Sequence, residues 1–228
     1  MKNPWVIIGV IVLVLVGGLF LYSGSNGEKN NEGVDATKVY TKGNPEASVR
    51  LVEYSDFQCP ACGAWHPIIK EVLSNVQEDV VFEYKHFPLP MHGFAEAAAR
   101  AAEAAGQQGK FYEYHDLLFE NQSIWSTSGN PTSMFIKYAE ELGLDIDTFK
   151  RQMKSSLLVD KIANDVKEGH ELGITGTPTF FINGERVVFG PNMTTGEAVN
   201  QLYQQISNAA NPEVQFELNL PNLPENTN

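Results

Sequence analysis

The chain's only two cysteines stand three residues apart in the stretch F-Q-C-P-A-C-G-A-W-H, from Phe57 to His66. Cysteines at this spacing can be a structural disulfide, part of a metal site, or a dithiol that does chemistry. A zinc site at the cysteines normally takes four ligands, often a second C-x-x-C or a histidine pair at matching spacing. Here His66 follows Cys62 by four residues, while His86, His92, His115 and His170 are scattered, so the expectation is no metal. A disulfide closing so short a loop restrains little of the unfolded chain, which makes stability a poor reason to keep it. The remaining reading is a redox dithiol.

That chemistry depends on the elements around the pair. The run V-R-L-V-E-Y, Val49 to Tyr54, has the composition of a strand, and a helix is expected from Pro60 to Val76, kinked at Pro67. Cys59 then falls at the helix N-terminus, facing unpaired backbone N–H groups, including those of Ala61 and Cys62, and the positive end of the helix dipole. Both favour thiolate over thiol. Pro60 sits at the first helical position, where its missing N–H costs nothing. Cys62, one turn further in, is expected to be more buried and less ionised. Cys59 is therefore the attacking sulfur and Cys62 the resolving one, with Pro60 and Ala61 tuning the reduction potential.

Further along, Val80 to His86 reads as a second strand. Helical patterns begin at Phe94 and Lys110 and cover Thr132 to Leu142, Asp145 to Ser155 and Leu158 to Leu172. Two short strands, Thr179 to Ile182 and Arg186 to Phe189, are joined by Asn183-Gly184, a type I′ hairpin signal. A last helix from Thr195 to Ala209 takes Thr194 or Thr195 as its N-cap. The order β-α-β, a helical block, then β-β-α defines an α/β protein with no internal repeat.

The 228 residues suffice for one sizeable domain with a real core. A net charge of −12 without a Lys/Arg cluster argues against nucleic acid as a partner. The run from Trp5 to Tyr22 is apolar, and no charge occurs between Asn3 and Gly27. As a helix it would be about 27 Å long, near the thickness of a bilayer core. Lys2 precedes it and acidic residues dominate after it, so the N-terminus is expected in the cytoplasm and the rest outside. A cleaved signal peptide, with Ser23 and Ser25 as a weak cleavage site, is the alternative, although cleavable apolar regions are shorter. In both cases the domain is exported. Residues 23–37 read as a flexible tether, and 211–228 as a loose tail.

Several segments together resemble the DsbA-like thiol:disulfide oxidoreductases. They are V-E-Y-S-D-F-Q-C-P-A-C (Val52 to Cys62), H-F-P-L (His86 to Leu89), A-A-E-A-A-G-Q-Q-G-K-F-Y-E-Y-H-D-L-L-F (Ala101 to Phe119) and G-I-T-G-T-P-T-F-F-I-N-G (Gly173 to Gly184). The match runs in the family's order from about Lys38 to Ala210. It implies a thioredoxin fold with an inserted all-helical domain, here preceded by one N-terminal transmembrane helix. The corresponding division is 1–22 cytoplasmic stub and anchor, 23–37 tether, 38–90 first thioredoxin part, 91–157 helical insertion, 158–210 second thioredoxin part and 211–228 tail.

The resemblance also implies that Thr177-Pro178 is a cis-proline loop that packs against the dithiol and binds substrate. Without it, Pro178 reads as an edge-strand proline. It further implies that Glu53 is a buried acid relaying protons to Cys62, a reading its place inside V-R-L-V-E-Y favours over an acid at the solvent edge of the sheet. His66 has two readings, a charged neighbour that lowers the pKa of Cys59 or a histidine on the helix surface. Phe57, Trp65 and Phe87 read first as core and second as an apolar surface for unfolded substrates. Asp56 and Gln58 carry no expected role.

The function expected is an extracytoplasmic enzyme that introduces disulfides into reduced exported proteins. It needs no cofactor beyond the Cys59–Cys62 disulfide, is reset by a membrane redox partner, and works as a monomer. A disulfide isomerase or reductase is the runner-up on the same fold, although the tether is too short for the dimerisation domain that such isomerases usually carry. A non-catalytic thioredoxin-like chaperone or binding module is the alternative from a different class, but a mere binder needs no dithiol.

Overall fold

A computed structural model of the chain describes residues 8, 11–13, 28–76, 78–190 and 193–210. Its centre is a five-stranded sheet in the order β1-β3-β2-β4-β5. The strands are β1 (Thr41–Gly43), β2 (Val49–Ser55), β3 (Val80–His86), β4 (Thr179–Ile182) and β5 (Glu185–Arg186). β2 and β3 run parallel, with Val49 beside Val80 and Ser55 beside His86. The β1, β4 and β5 pairings are antiparallel.

Between β2 and β3 runs α1 (Pro60–Val76), as expected, and Pro67 does not interrupt it. Its buried residues Cys62, His66, Ile69, Val72 and Leu73 recur at helical spacing and form its inward-facing stripe. The block between β3 and β4 contains α2 (Ala95–Gln107), α3 (Phe111–Glu120), α4 (Gln122–Trp125), α5 (Pro131–Glu141), α6 (Ile146–Gln152) and α7 (Ser156–Glu171). The alanines of α2 serve packing: Ala98, Ala101, Ala102 and Ala105 are buried in the main core. Where α2 ends, Tyr40 lies so close to Gly106 that a Cβ there would stand 2.4 Å from the ring. Finally α8 (Thr195–Ala210) is capped by Thr194. Its hydroxyl accepts from Glu197 N, while the Glu197 carboxylate accepts from Thr194 N, a reciprocal capping box.

The sheet has two covered faces. Val49 and Leu51 of β2, with Phe82, Phe180 and Ile182, belong to the main core that also holds Cys59 and Cys62. Tyr54, Phe87, Ile174 and Phe181 form a second cluster on the other side, packed against Val52 and Val166. Alternation along β2 puts Glu53 on the face of Val49 and Leu51, toward the cysteines.

Several expectations are corrected. The second of the late strands is only Glu185–Arg186, not Arg186 to Phe189; one further bond, Val187 N to Phe180 O at 2.9 Å, ends the pairing. The strand β1 was not expected, because T-K-G carries no alternation. The stretch 28–37, read as part of a flexible tether, is docked instead. Asn31 Oδ1 accepts from Ser155 Oγ at 2.7 Å and Ser156 N at 3.1 Å, and Asp35 exchanges two bonds with the Gln107 amide. Among the described residues no helix is long and apolar enough to cross a membrane. The expected anchor falls largely outside them; its described residues, Ile8 and Ile11–Leu13, are helical and exposed. The expected tail, 211–228, lies outside them as well.

Candidate functional site

Cys59 is the residue immediately before α1. Its N–H donates to Asp56 O at 3.0 Å, and its carbonyl accepts the first helical bond, from Gly63 N at 3.1 Å. The peptide bond Thr177-Pro178 is cis. This loop approaches the dithiol from the start of β4, leaving Cys59 Sγ 3.5 Å from the carbonyl oxygen of Thr177. Cys59 is 6% exposed and Cys62 fully buried, both as free thiols. Pro60 and Ala61 stand exposed on the first helical turn, and Thr177 and Pro178 are half-buried.

The two thiols have opposite acidities. The Cys62 thiol, donating toward Cys59, holds the Cys59 pKa below that of an ordinary thiol. Burial opposes this, while the Thr177 side chain and the backbone N–H groups of Cys62 and Ala61 add to it. Cys62 is pushed up by burial first, then by its bond to Cys59 and by the charge of Glu53. Glu53 is itself only 4% exposed, and burial raises its pKa to about 7, partly offset by Ser55. A carboxyl poised near neutrality beside the less acidic thiol can exchange a proton with it.

His66 does not meet its expectation. It is 9% exposed, and its ring packs against Phe119 and His115 at centroid distances of 5.0 and 5.2 Å. Burial, followed by the neighbouring His115, lowers its pKa to about 4, so at neutral pH it carries no charge with which to stabilise a thiolate. It is a core residue on the insertion side of α1. Phe57 and Phe87 are likewise core, at 1% and 3% exposure, so they offer no surface to an unfolded chain. Trp65 is half-buried against Phe180 and Phe189.

Three side chains without an expected role hold the dithiol in place. The Asp56 carboxylate accepts from Gln58 N at 2.7 Å, Leu89 N at 2.8 Å and His92 Nδ1 at 2.6 Å, tying the turn before Cys59 to the loop after β3. The Gln58 amide oxygen accepts from Phe94 N at 2.7 Å. From the helical block, Gln122 Nε2 donates to the carbonyls of both Phe57 and Cys59 at 2.8 Å. The Asp at position −3 from Cys59 was a signal available in the sequence, since a short acid before a helix often bonds nearby N–H groups. Gln122 offered none, lying 63 residues from Cys59.

The fold and site define a thioredoxin-like α/β protein with a C-x-x-C dithiol at a helix N-terminus, faced by a cis-proline loop. The thioredoxin family profile matches residues 35–205, and the chain belongs to the thioredoxin family. Its structural neighbours include DsbA proteins and other thioredoxin-like oxidoreductases. A thioredoxin-like oxidoreductase from Silicibacter pomeroyi DSS-3 is 29% identical, with a TM-score of 0.58 over 72% of this chain and 91% of that one. The thiol-disulfide exchange protein alpha-DsbA2 from Wolbachia pipientis is 20% identical, with a TM-score of 0.63 over 81% and 94%. Among curated proteins, the Na(+)/H(+) antiporter NhaA 3 of Salinispora tropica is 40% identical over 154 residues. That match covers 67% of this chain and 23% of the antiporter, so the chain spans about a quarter of that relative.

Proposed function

We propose that this protein is an extracytoplasmic thiol:disulfide oxidoreductase that introduces disulfides into reduced exported proteins. The observation that carries this reading is the pair of opposed thiols: Cys59 at the start of α1, acidified and 3.5 Å from Thr177 O, with Cys62 buried behind it and hard to ionise.

In the oxidising direction the Cys59–Cys62 disulfide accepts two electrons. A substrate thiolate attacks Cys59 Sγ, the S–S bond breaks, and Cys62 leaves as a thiolate that takes a proton from Glu53. A second substrate thiolate then attacks the substrate sulfur of the mixed disulfide. Cys59 leaves as the stabilised thiolate, and the substrate departs with a disulfide. A low-pKa leaving thiol is fast and favours the reduced enzyme, which makes the pair oxidising. The half-buried Thr177–Pro178 loop is the place where an extended substrate would lie beside Cys59, pairing with the Thr177 backbone as a short added strand. Pro60 and Ala61 set the potential through their position on the first turn. No further cofactor takes part. A membrane redox partner withdraws the two electrons, and the apolar segment Trp5 to Tyr22 keeps the monomeric domain at the outer face of the membrane.

The assignment of roles is tested by trapping. Cys62→Ser should accumulate mixed disulfides with reduced substrate on Cys59, while Cys59→Ser should form none and lose all transfer. Trapping through Cys62 alone would reverse the roles. A reduction potential near that of thioredoxin, about −270 mV, rather than near the oxidising end at about −120 mV, would point to a reductase instead.

A further inference from the structure

On the side of α1 that faces the helical block, His66 meets His115 and Asp116 of α3. One ring nitrogen of each histidine and a carboxylate oxygen of Asp116 all lie within 4.8 Å of one another. The same oxygen, Asp116 Oδ1, is 3.0 Å from His115 Nδ1 and 3.7 Å from His66 Nε2. Both imidazoles are buried, yet among the described residues His66 Nε2 and His115 Nε2 have no hydrogen-bond partner. Unpaired buried polar atoms are costly, and His66 Nε2, left unpaired 3.7 Å from the Asp116 carboxylate, needs a reason. A cavity of about 10 Å³, at the lower limit for one water-sized occupant, is lined by these three side chains together with Lys42, Lys70 and apolar neighbours such as Ile69.

We propose that His66, His115 and Asp116 form a binding site for one divalent ion of the zinc type, bridging the dithiol-bearing helix α1 to α3 of the helical block. Two neutral imidazoles and a carboxylate, with a water in the fourth position, are a common donor set for Zn²⁺. Ligand atoms of a tetrahedral zinc with bonds of about 2.0 to 2.1 Å stand about 3.3 Å apart. The observed separations therefore need side-chain shifts of about 1 Å and no movement of either helix.

Lys42 and Lys70 now neutralise Asp116, at 3.9 and 3.3 Å. Both side chains are roughly half exposed on long stems and swing into solvent as the ion enters; Lys70 keeps Glu120 as a partner at 3.0 Å. Because His66 lies one turn beyond Cys62, the ion would pin the segment of α1 that carries the resolving thiol. The site uses neither cysteine and is independent of the redox reading.

The test is Zn²⁺ titration by calorimetry in a Cys59→Ser/Cys62→Ala background, which removes the other soft donors. One equivalent should bind at micromolar concentration, and Co²⁺ should give tetrahedral visible bands without thiolate charge transfer. Supporting partners of metal ligands alone cost about 10- to 100-fold in affinity when mutated, so His66→Gln and Asp116→Asn should each weaken binding by more than about 100-fold. Should His66→Gln fail to fold by circular dichroism, the partly exposed Asp116→Asn decides alone. No binding to the parent protein, or binding that survives Asp116→Asn unchanged, overturns the proposal.

Discussion

At the scale of single residues, the mechanism rests on charge placed at one sulfur and withheld from its neighbour. A free thiol titrates near about 8.5. In the reduced protein Cys59 should titrate well below that, because the Cys62 thiol and the N–H groups of Ala61 and Cys62 solvate its thiolate. Ultraviolet thiolate absorbance followed against pH reads this directly, and a midpoint at or above the free value would remove the electrostatic argument. Since the folded value is depressed, the thiolate's contribution to the stability of the reduced form is fully present above about pH 8.5. It is lost as pH falls through the folded value.

Glu53 works the other way. Its folded pKa of about 7 lies above the ordinary 4.5 because burial disfavours the carboxylate. The folded state therefore holds the extra proton between these values, and stability falls as pH rises from about 4.5 to 7. In the oxidised protein, where neither cysteine titrates, Glu53→Gln should flatten this slope. By pH 8 it should gain about 3 kcal/mol over the parent, since each tenfold change in proton affinity is worth about 1.4 kcal/mol, while slowing disulfide transfer. Urea unfolding at pH 4.5 and pH 8 measures it, and an unchanged slope would take Glu53 out of the buried site.

At the scale of elements, the dithiol helix is held from two sides. Its N-terminal turn is tied to the loop after β3 through Asp56, and to the helical block through Gln122. Gly63 makes the second tie possible: a Cβ at this position would stand 2.4 Å from the Gln122 amide oxygen. Gln122→Ala should leave the carbonyls of Phe57 and Cys59 without their side-chain donor and cost about 1 to 2 kcal/mol. Gly63→Ala should push the same amide away. The two substitutions act on one contact, so the double variant should be less destabilised than the sum of the singles. Additive losses in a denaturant cycle would mean that the glycine serves some other packing need.

At the scale of the whole molecule, the segment at 28–37 is fastened to the helical block through Asn31 and Asp35. In the anchored arrangement proposed above, only residues 23–27 of the sequence separate the apolar run Trp5 to Tyr22 from this docked segment. The full chain should stay with membranes through an alkaline wash, whereas a chain beginning at residue 28 should be released. Recovery of the full chain in the soluble fraction would sink the anchor reading.

Local signals in the chain determined much of this protein. The helix Pro60–Val76 and the strand Val80–His86 were legible to the residue, as was the hairpin turn at Asn183-Gly184, whose φ angles of +49° and +84° match its dipeptide. The position of Cys59 at a helix start followed from the same signals, because hydrophobic period, proline placement and turn chemistry act over a few neighbouring residues. What required tertiary structure were contacts between residues far apart in sequence. His66 reads as a helix histidine until α3 brings His115 and Asp116 against it. Gln122 carries no local signal until folding sets its amide on Cys59 O. Asn31 reads as tether until Ser155 and Ser156 arrive beside it. In each case the deciding quantity is contact with a distant element, and where that contact buries a group, as at His66, burial sets both its acidity and the cost of leaving it unpaired.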